Sequence, residues 1–493
     1  MKKYSTILFL FLFSCVYSQG TKQPTFKKRV LESTEVDFLA SYYVQDGSKS
    51  SVSGGIGSEK LTDVASNITV AMPLNDDDVL TVDIGISAYS SASSSNINPF
   101  NSSGASGNSN YSGASGGGDD DDDDKRVNTK ATTTGSGPYG SPWQASSGAS
   151  KSDQLVSVMA NYSHSSDSRN FIWNSDVSFS NEYDYTSVGL GGGIAALFNE
   201  KNTEINLKAN VYLDQWRPIY PTELHEYSKY GNNFLNQGYF SGVTVYNENG
   251  IMATEKYLPT KFTDLSLTNR NSYSASFGFS QILSQRLQLS VFFDVLQQQG
   301  LLSTPYHRIY FADKTNFFIG QSQYIANYES STNTGVFKLA DDIERLPDTR
   351  FKLPIGVRLN YYINERFVLR TYYRYYSDDW NIHAQTASIE LPVKISDKFT
   401  VFPTFRYYTQ TASQYYAPYE KHLSTEQYYT SDPDLATFET KQIGFGVNYT
   451  DIFASAKIWQ FGLKNVDFRF HQYDRTDRLK ASIATVAFKF IMQ

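Results

Sequence analysis

The stretch RFKLPIGVRLNYY, residues 350–362, decides the fold. Phe351, Leu353, Ile355, Val357 and Leu359 alternate with Lys352, Gly356, Arg358 and Asn360. A period of two places one set on each face of a β-strand. One face is wholly apolar and the other charged or small. At about 13 residues the run exceeds the roughly 5–6 of an average globular strand. It covers the roughly 9–11 that a tilted strand needs to cross a bilayer. A tight polar turn, Asn364-Glu365-Arg366, then leads into a second alternating run over 367–377.

The same pattern extends in both directions. Val36, Phe38, Ala40, Tyr42 and Val44 share a face opposite Asp37, Ser41 and Gln45. Ile205, Leu207, Ala209, Val211 and Leu213 alternate with Asn206, Lys208, Asn210, Tyr212 and Asp214. Sixteen runs are read: 34–46, 61–73, 78–90, 152–164, 169–182, 186–198, 203–214, 270–282, 287–298, 350–362, 367–377, 381–394, 399–411, 440–450, 463–474 and 479–490. The gaps between them sort by parity. Most even gaps are tight and polar, such as Asn75-Asp76-Asp77, Ser284-Gln285-Arg286 and Ser396-Asp397-Lys398. The longest gaps, 91–151, 215–269, 299–349 and 412–439, are all odd; even gap 451–462 is the exception. Long loops on one rim and short turns on the other are the pattern of an outer-membrane barrel. The expected fold is therefore all-β: a transmembrane, antiparallel, up-and-down β-barrel of about 16 strands with long extracellular loops. Residues 34–493 form the barrel, and both termini are periplasmic.

Composition agrees. The chain has 493 residues, of which 19% are charged and 40% hydrophobic, with 37 Tyr and 33 Phe. Length alone would fit about three soluble domains. Charge and apolar content, however, both fall below the usual roughly 25% and 45–50%. No run of about 20 apolar residues follows the first 20, which excludes a helical membrane protein. The aromatic content argues against wholesale disorder.

The N-terminus reads as a targeting segment. Lys2 and Lys3 precede the apolar run TILFLFLFS (Thr6–Ser14), and Val16-Tyr17-Ser18 offers a cleavage site before Gln19. Residues 1–18 are the expected signal peptide, and 19–33 a periplasmic N-terminal segment. Cys15 follows Leu12-Phe13-Ser14, a poor match to a lipoprotein box, so lipidation is the lesser alternative. Cleavage after Ser18 removes the single cysteine. It would also take the net charge from −7 to −9 by removing Lys2 and Lys3.

At the other end Ala484, Val486, Phe488 and Phe490 alternate up to the final Ile491-Met492-Gln493. With the signal ending at Ser18-Gln19 and a Gly/Ser-rich first long loop whose acidic run leads into Lys125-Arg126, the chain resembles an uncharacterised family of Bacteroidota outer-membrane β-barrels, known as a domain of unknown function. The resemblance spans nearly the whole mature chain and brings no established activity. Through relatives associated with thioredoxin-like and flavin-transferase partners, it implies a redox or envelope-assembly role.

Two features could carry chemistry. The low-complexity loop 91–151 contains six consecutive aspartates: Asp119, Asp120, Asp121, Asp122, Asp123 and Asp124. Such a run could collect Ca²⁺ weakly, because hard cations take carboxylate oxygens. Alternatively it remains a solvated charge run. The second feature is a basic stripe. Charges facing lipid near the midplane would cost about 2–4 kcal/mol each. Arg350, Lys352, Arg358, Arg370, Arg374, Arg406 and Arg469 should therefore face the lumen, with Glu390, Asp467 and His471. An arginine wall can select anions, or it can be a structural ladder paired to those carboxylates. The inward faces nearer the N-terminus read as small and neutral: Gly189, Gly191, Gly193, Ser272, Ser274 and Ser276. Tyr-Tyr pairs at strand ends, such as 361–362, 372–373, 375–376, 407–408 and 415–416, read as aromatic girdles.

No zinc or haem motif is present. His225 beside Glu223 and Glu226, and His307 six residues before Asp313, are weak coincidences, so an enzyme is not expected. The expected location is the bacterial outer membrane. The expected partners are outer-membrane lipid and envelope proteins, with no nucleic acid and no cofactor beyond weakly held calcium. The expected function is a porin-like channel with an anion-favouring basic lumen. The alternative is a non-conducting scaffold that holds a partner in a surface, redox or envelope-assembly complex.

Overall fold

The computed structural model describes residues 29–89, 153–182, 184–328, 336–451 and 453–493. Residues 1–18, read as a signal peptide, and residues 91–151 lie outside them. Sixteen strands wind in chain order: β1 (Glu35–Asp46), β2 (Leu61–Pro73), β3 (Asp78–Tyr89), β4 (Asp153–Ser165), β5 (Phe171–Asn181), β6 (Tyr185–Phe198), β7 (Thr203–Trp216) and β8 (Asn269–Ser284). They continue as β9 (Leu287–Gly300), β10 (Thr349–Tyr362), β11 (Val368–Asp378), β12 (His383–Glu390), β13 (Phe399–Gln410), β14 (Phe438–Thr450), β15 (Phe461–Arg475) and β16 (Lys480–Met492). Each pairs antiparallel with the next. β16 returns to β1, with Glu35 opposite Ile491 and Asp46 opposite Lys480. Closure satisfies every strand edge, which lipid surroundings demand.

The alternating pattern fixes the two surfaces. Ile355, Leu359, Ile389, Phe405, Ile443 and Phe445 all point outward and are exposed, Ile443 at 66%. Leu190, Leu207 and Val177 continue the band on the other side. A water-soluble monomer rarely leaves so large an apolar surface bare.

The run read as 381–394 is not one strand. Pro392 has no N–H to give the ladder. The regular ladder ends at Glu390, with Leu391 N still donating to Pro403 O, and resumes at Val393–Lys394, opposite Thr400–Val401. The aromatic pairs also need correction. A period of two sends one ring of each strand pair inward: Tyr373, Tyr375 and Tyr407 face out. Tyr372 stacks on Phe292 across the lumen wall, Tyr376 donates to Asp378, and Tyr408 donates to Gln410. Tyr415 and Tyr416 belong to a loop, where Tyr415 packs on Trp380 and Tyr428.

The two rims differ as the loop lengths imply. Side chains close the short turns: Asn75 Oδ1 accepts from Asp77 and Asp78 N, and Asn364 Oδ1 from Arg366 and Phe367 N. The N-terminal segment sits here too, with Arg29 bonded to Asp76. On the opposite rim the connections 47–60, 217–268, 301–348 and 411–437 fold together. They include one short helix, α1 (Thr222–Tyr230). Phe234, Phe240, Tyr257, Phe317, Ile319 and Leu339 make one buried cluster; Leu224, Phe262, Tyr310, Ala340 and Ile343 make another. Most of the protein's conventional hydrophobic core therefore lies in this cap. The barrel wall turns its apolar face outward instead.

Candidate functional site: the lumen and its cap

Register brings the basic residues together. Arg374 lies opposite Gly356 and Thr386, and Arg358 opposite Tyr372. In the same row Tyr372 faces Ser388, and Ser388 faces Arg406. Arg370 faces Glu390, and Arg469 faces Gly446. Because side chains alternate, these positions and Arg350 and Lys352 share the inner face. The stripe runs from Arg350 at the capped rim, through Arg374, Arg358 and Arg406, to Arg370 and Arg469 near the turn rim.

Its two ends are ion-paired. Arg350 Nε and Nη2 donate to Asp378 Oδ2 at 2.9 and 2.5 Å, and the guanidinium lies over Trp380. Near the turn rim Glu390 accepts from Arg370 at 2.7 Å and from Arg469 at 2.9 Å, and Arg469 also reaches Asp467 at 2.9 Å. The middle is different. Arg358 lies 5.3 and 5.5 Å from the rings of Phe292 and Tyr372. Arg374 Nε is buried without a hydrogen-bond partner. Arg406 faces the neutral Ser388 and Gln442. Arg358, Arg370, Arg406, Arg469 and His471 line a cavity of about 490 Å³. A second, of about 250 Å³, continues from Arg374 and Tyr408 up to cap residues Thr304, His307, Glu344, Asp432 and Asp434.

The opposite wall is not neutral, as the Gly and Ser positions suggested. Those residues do face inward, but Asp63, Asp83, Asp176 and Asp214 share their surface. Asp83 accepts from Asn67 and Thr69, Asp63 from Ser87, and Asp214 from Ser187. Lys208 approaches Asp176 only to 3.8 Å. Among the described residues, the inward Asp63, Asp83, Asp176 and Asp214 lie on β2–β7, while the arginines of β10–β15 share their wall with Asp378, Glu390 and Asp467.

The cap is fastened by buried charge. Arg308 and Glu223 are both fully buried, with Arg308 Nε 2.8 Å from Glu223 Oε1. Arg308 Nη1 also donates to Val52 O, which ties connection 301–348 to 47–60. Lys338 bonds Glu420 and the Tyr419 hydroxyl and lies 4.5 Å from the Tyr310 ring. Gly55, at φ +97°, lets 47–60 approach Ser431: a Cβ there would lie 2.8 Å from the Ser431 carbonyl oxygen. Arg475 on β15 clamps the cap to the wall through Asp434 and is itself held by Asp477 of the following turn.

Glu59, on the 47–60 connection, gives the cap a pH dependence. Burial, with Asp434 adding repulsion and Arg475 opposing it, raises its pKa to about 8. A carboxyl raised above its unfolded value binds its proton more tightly when folded. Stability should therefore fall as pH rises from the unfolded pKa toward about 8, and level off above it. Amides held by this connection, such as Gly55 N to Ser50 O and Glu59 N to Gly47 O, are expected to exchange faster at pH 9 than at pH 6 after correction for intrinsic rates. The effect should be about a hundredfold. Glu59→Gln should flatten it; an unchanged slope in that variant would show that another group titrates.

The histidine coincidences do not survive. His225 is exposed on α1. Asp313 bonds Ser424 rather than His307. His307 instead meets Glu344, whose sequence distance hid the contact. The aspartate run 119–124 lies outside the described residues.

The chain belongs to the family described as "Protein of unknown function (DUF3570)", whose model matches residues 8–483. Comparison with curated proteins finds no match. Among solved structures the chain is similar to a bacterial polysaccharide outer membrane secretin, at 9% identity and TM-score 0.40, covering 94% of this chain and 99% of that one. It is also similar to a BenF-like porin from Pseudomonas fluorescens Pf-5, at 7% identity and TM-score 0.36, covering 94% and 100%. A TodX monoaromatic hydrocarbon channel mutant matches at 9% identity and TM-score 0.35, covering 94% and 91%.

Proposed function

We propose that this family member is an outer-membrane, porin-like barrel that carries small anionic solutes along the basic wall of its lumen, with the cap restricting passage at the outer rim. One observation carries the reading: the cavity of about 490 Å³ that Arg358 and Arg406 line together with the ion-paired Arg370, Glu390 and Arg469. Guanidinium groups offer forked donors matched to carboxylate and phosphate, and a ring-lined, partly dehydrated space strengthens that attraction. The exposed apolar band supports the outer-membrane placement.

The folded cap favours a second reading, a non-conducting barrel whose loops hold an envelope protein partner. Solute flux into proteoliposomes separates the two. Phosphate should enter faster than a neutral sugar of similar size. Arg374→Ala/Arg406→Ala should slow phosphate by roughly tenfold, on the order of one partly screened charge contact, and leave the sugar unchanged. Equal slowing of both would remove the role given to the arginines. No flux of either would leave the scaffold reading.

A further inference from the structure

We propose that His307, Glu344 and Asp432 form a binding site for a zinc-class divalent metal ion, which pins two cap connections together above the lumen. His307 and Glu344 come from 301–348, and Asp432 comes from 411–437. One ligand atom from each lies within 4.8 Å of the others.

Several observations point the same way. His307 is only 3% exposed, and its Nε2 has no hydrogen-bond partner. A buried imidazole nitrogen with no partner is uncommon, because its desolvation goes uncompensated. The other nitrogen, Nδ1, lies 3.4 Å from Glu344 Oε2. That is long for a charge-assisted hydrogen bond, which is about 2.7–2.9 Å. Either ring nitrogen can serve as a ligand.

The carboxylates are already oriented. Thr304 N donates to Glu344 Oε1 at 2.7 Å, and the Thr430 hydroxyl donates to Oε2. Asp434 N donates to Asp432 Oδ1 at 3.0 Å. Such outer contacts hold ligating carboxylates in place at metal sites. The three residues also line the cavity of about 250 Å³. A fourth position, for water or a solute oxygen, therefore opens toward the lumen.

Donor chemistry sets the class of metal. One imidazole and two carboxylates suit zinc and its borderline neighbours. Calcium prefers six to eight oxygens and would find too few.

The test is zinc titration of the full-length barrel, refolded in detergent after chelation. One tightly held zinc per chain is expected. His307→Ala and Asp432→Asn should each weaken it by roughly a hundredfold or more, beyond the 10–100-fold typical of outer-shell changes. Replacing Asp119 to Asp124 with asparagine should leave it unchanged. Zinc-edge absorption of the unmodified protein covers the case in which a variant misfolds, and should give a four-coordinate N/O shell with one imidazole. No stoichiometric zinc, an all-oxygen shell, or binding that survives His307→Ala in a folded barrel would each overturn the site.

Discussion

Replacing Arg308 with methionine should unfasten the cap and leave the barrel wall folded. Arg308 and Glu223 are both fully buried, and Arg308 Nε and Nη2 lie 2.8 and 3.3 Å from the carboxylate. Glu223 also accepts from Ala340 N. Removing the cation strands a buried carboxylate, which typically costs about 3–5 kcal/mol. That is a large share of what a loop assembly with little regular secondary structure can hold. The wall has its own closed ladder, so the loss should stay local. Protease should cut within 217–268 and 301–348, while the barrel keeps its heat-modifiable migration in a gel. The double replacement Arg308→Met/Glu223→Gln should recover most of the protection, because no charge is then left unpaired. Cleavage unchanged in the single variant would show that the pair does not hold the cap. Loss of the barrel form would show that cap and wall fold as one unit.

The second large effect contrasts two consecutive residues. Ser274 and Ala275 sit mid-strand in β8. Ser274 faces the lumen, where it accepts from Asn210 Nδ2 near the acidic wall; Ala275 is exposed on the outer face. Ala275→Lys should destabilise the barrel by about 2–4 kcal/mol, the cost of a cation at the lipid midplane. Ser274→Lys should change stability by less than about 1 kcal/mol, because the lumen is polar and acidic on that side. Urea unfolding in lipid vesicles measures both. Equal costs would contradict the assignment of the outer surface to lipid.

The barrel was legible because its information is local. An alternation such as Phe351 to Leu359 names the two faces within a single strand, and Asn364-Glu365-Arg366 names the turn. The inward placement of Arg358 and Arg374 follows from the same period. The Tyr pairs show the limit of reading composition without phase. Tyr372 and Tyr373 look alike as a dipeptide, yet alternation must send them to opposite faces. Asp63 and Asp83 could have been read as inward by the same rule, but the glycines and serines of β6 and β8 drew the reading to a neutral wall.

The cap could not be read in this way. Its loops have no period, and its contacts join residues far apart: Arg308 reaches back 256 positions to Val52, and Thr430 meets Glu344 across 86. His307 was compared with its neighbour Asp313, whereas its partners are brought in by the return of 411–437 over the barrel mouth. Such pairings arise from closure of the whole cap, and no window of sequence contains them.

In the proposed function the basic wall is the path for anions. The measurement that bears on it directly is the reversal potential across a planar bilayer in a KCl gradient, taken for the unmodified barrel and for Arg374→Ala/Arg406→Ala. The expected result is a chloride-weighted potential that moves toward potassium in the double variant. A potassium-weighted potential in the unmodified barrel, no movement on replacing both arginines, or no current at all would contradict it.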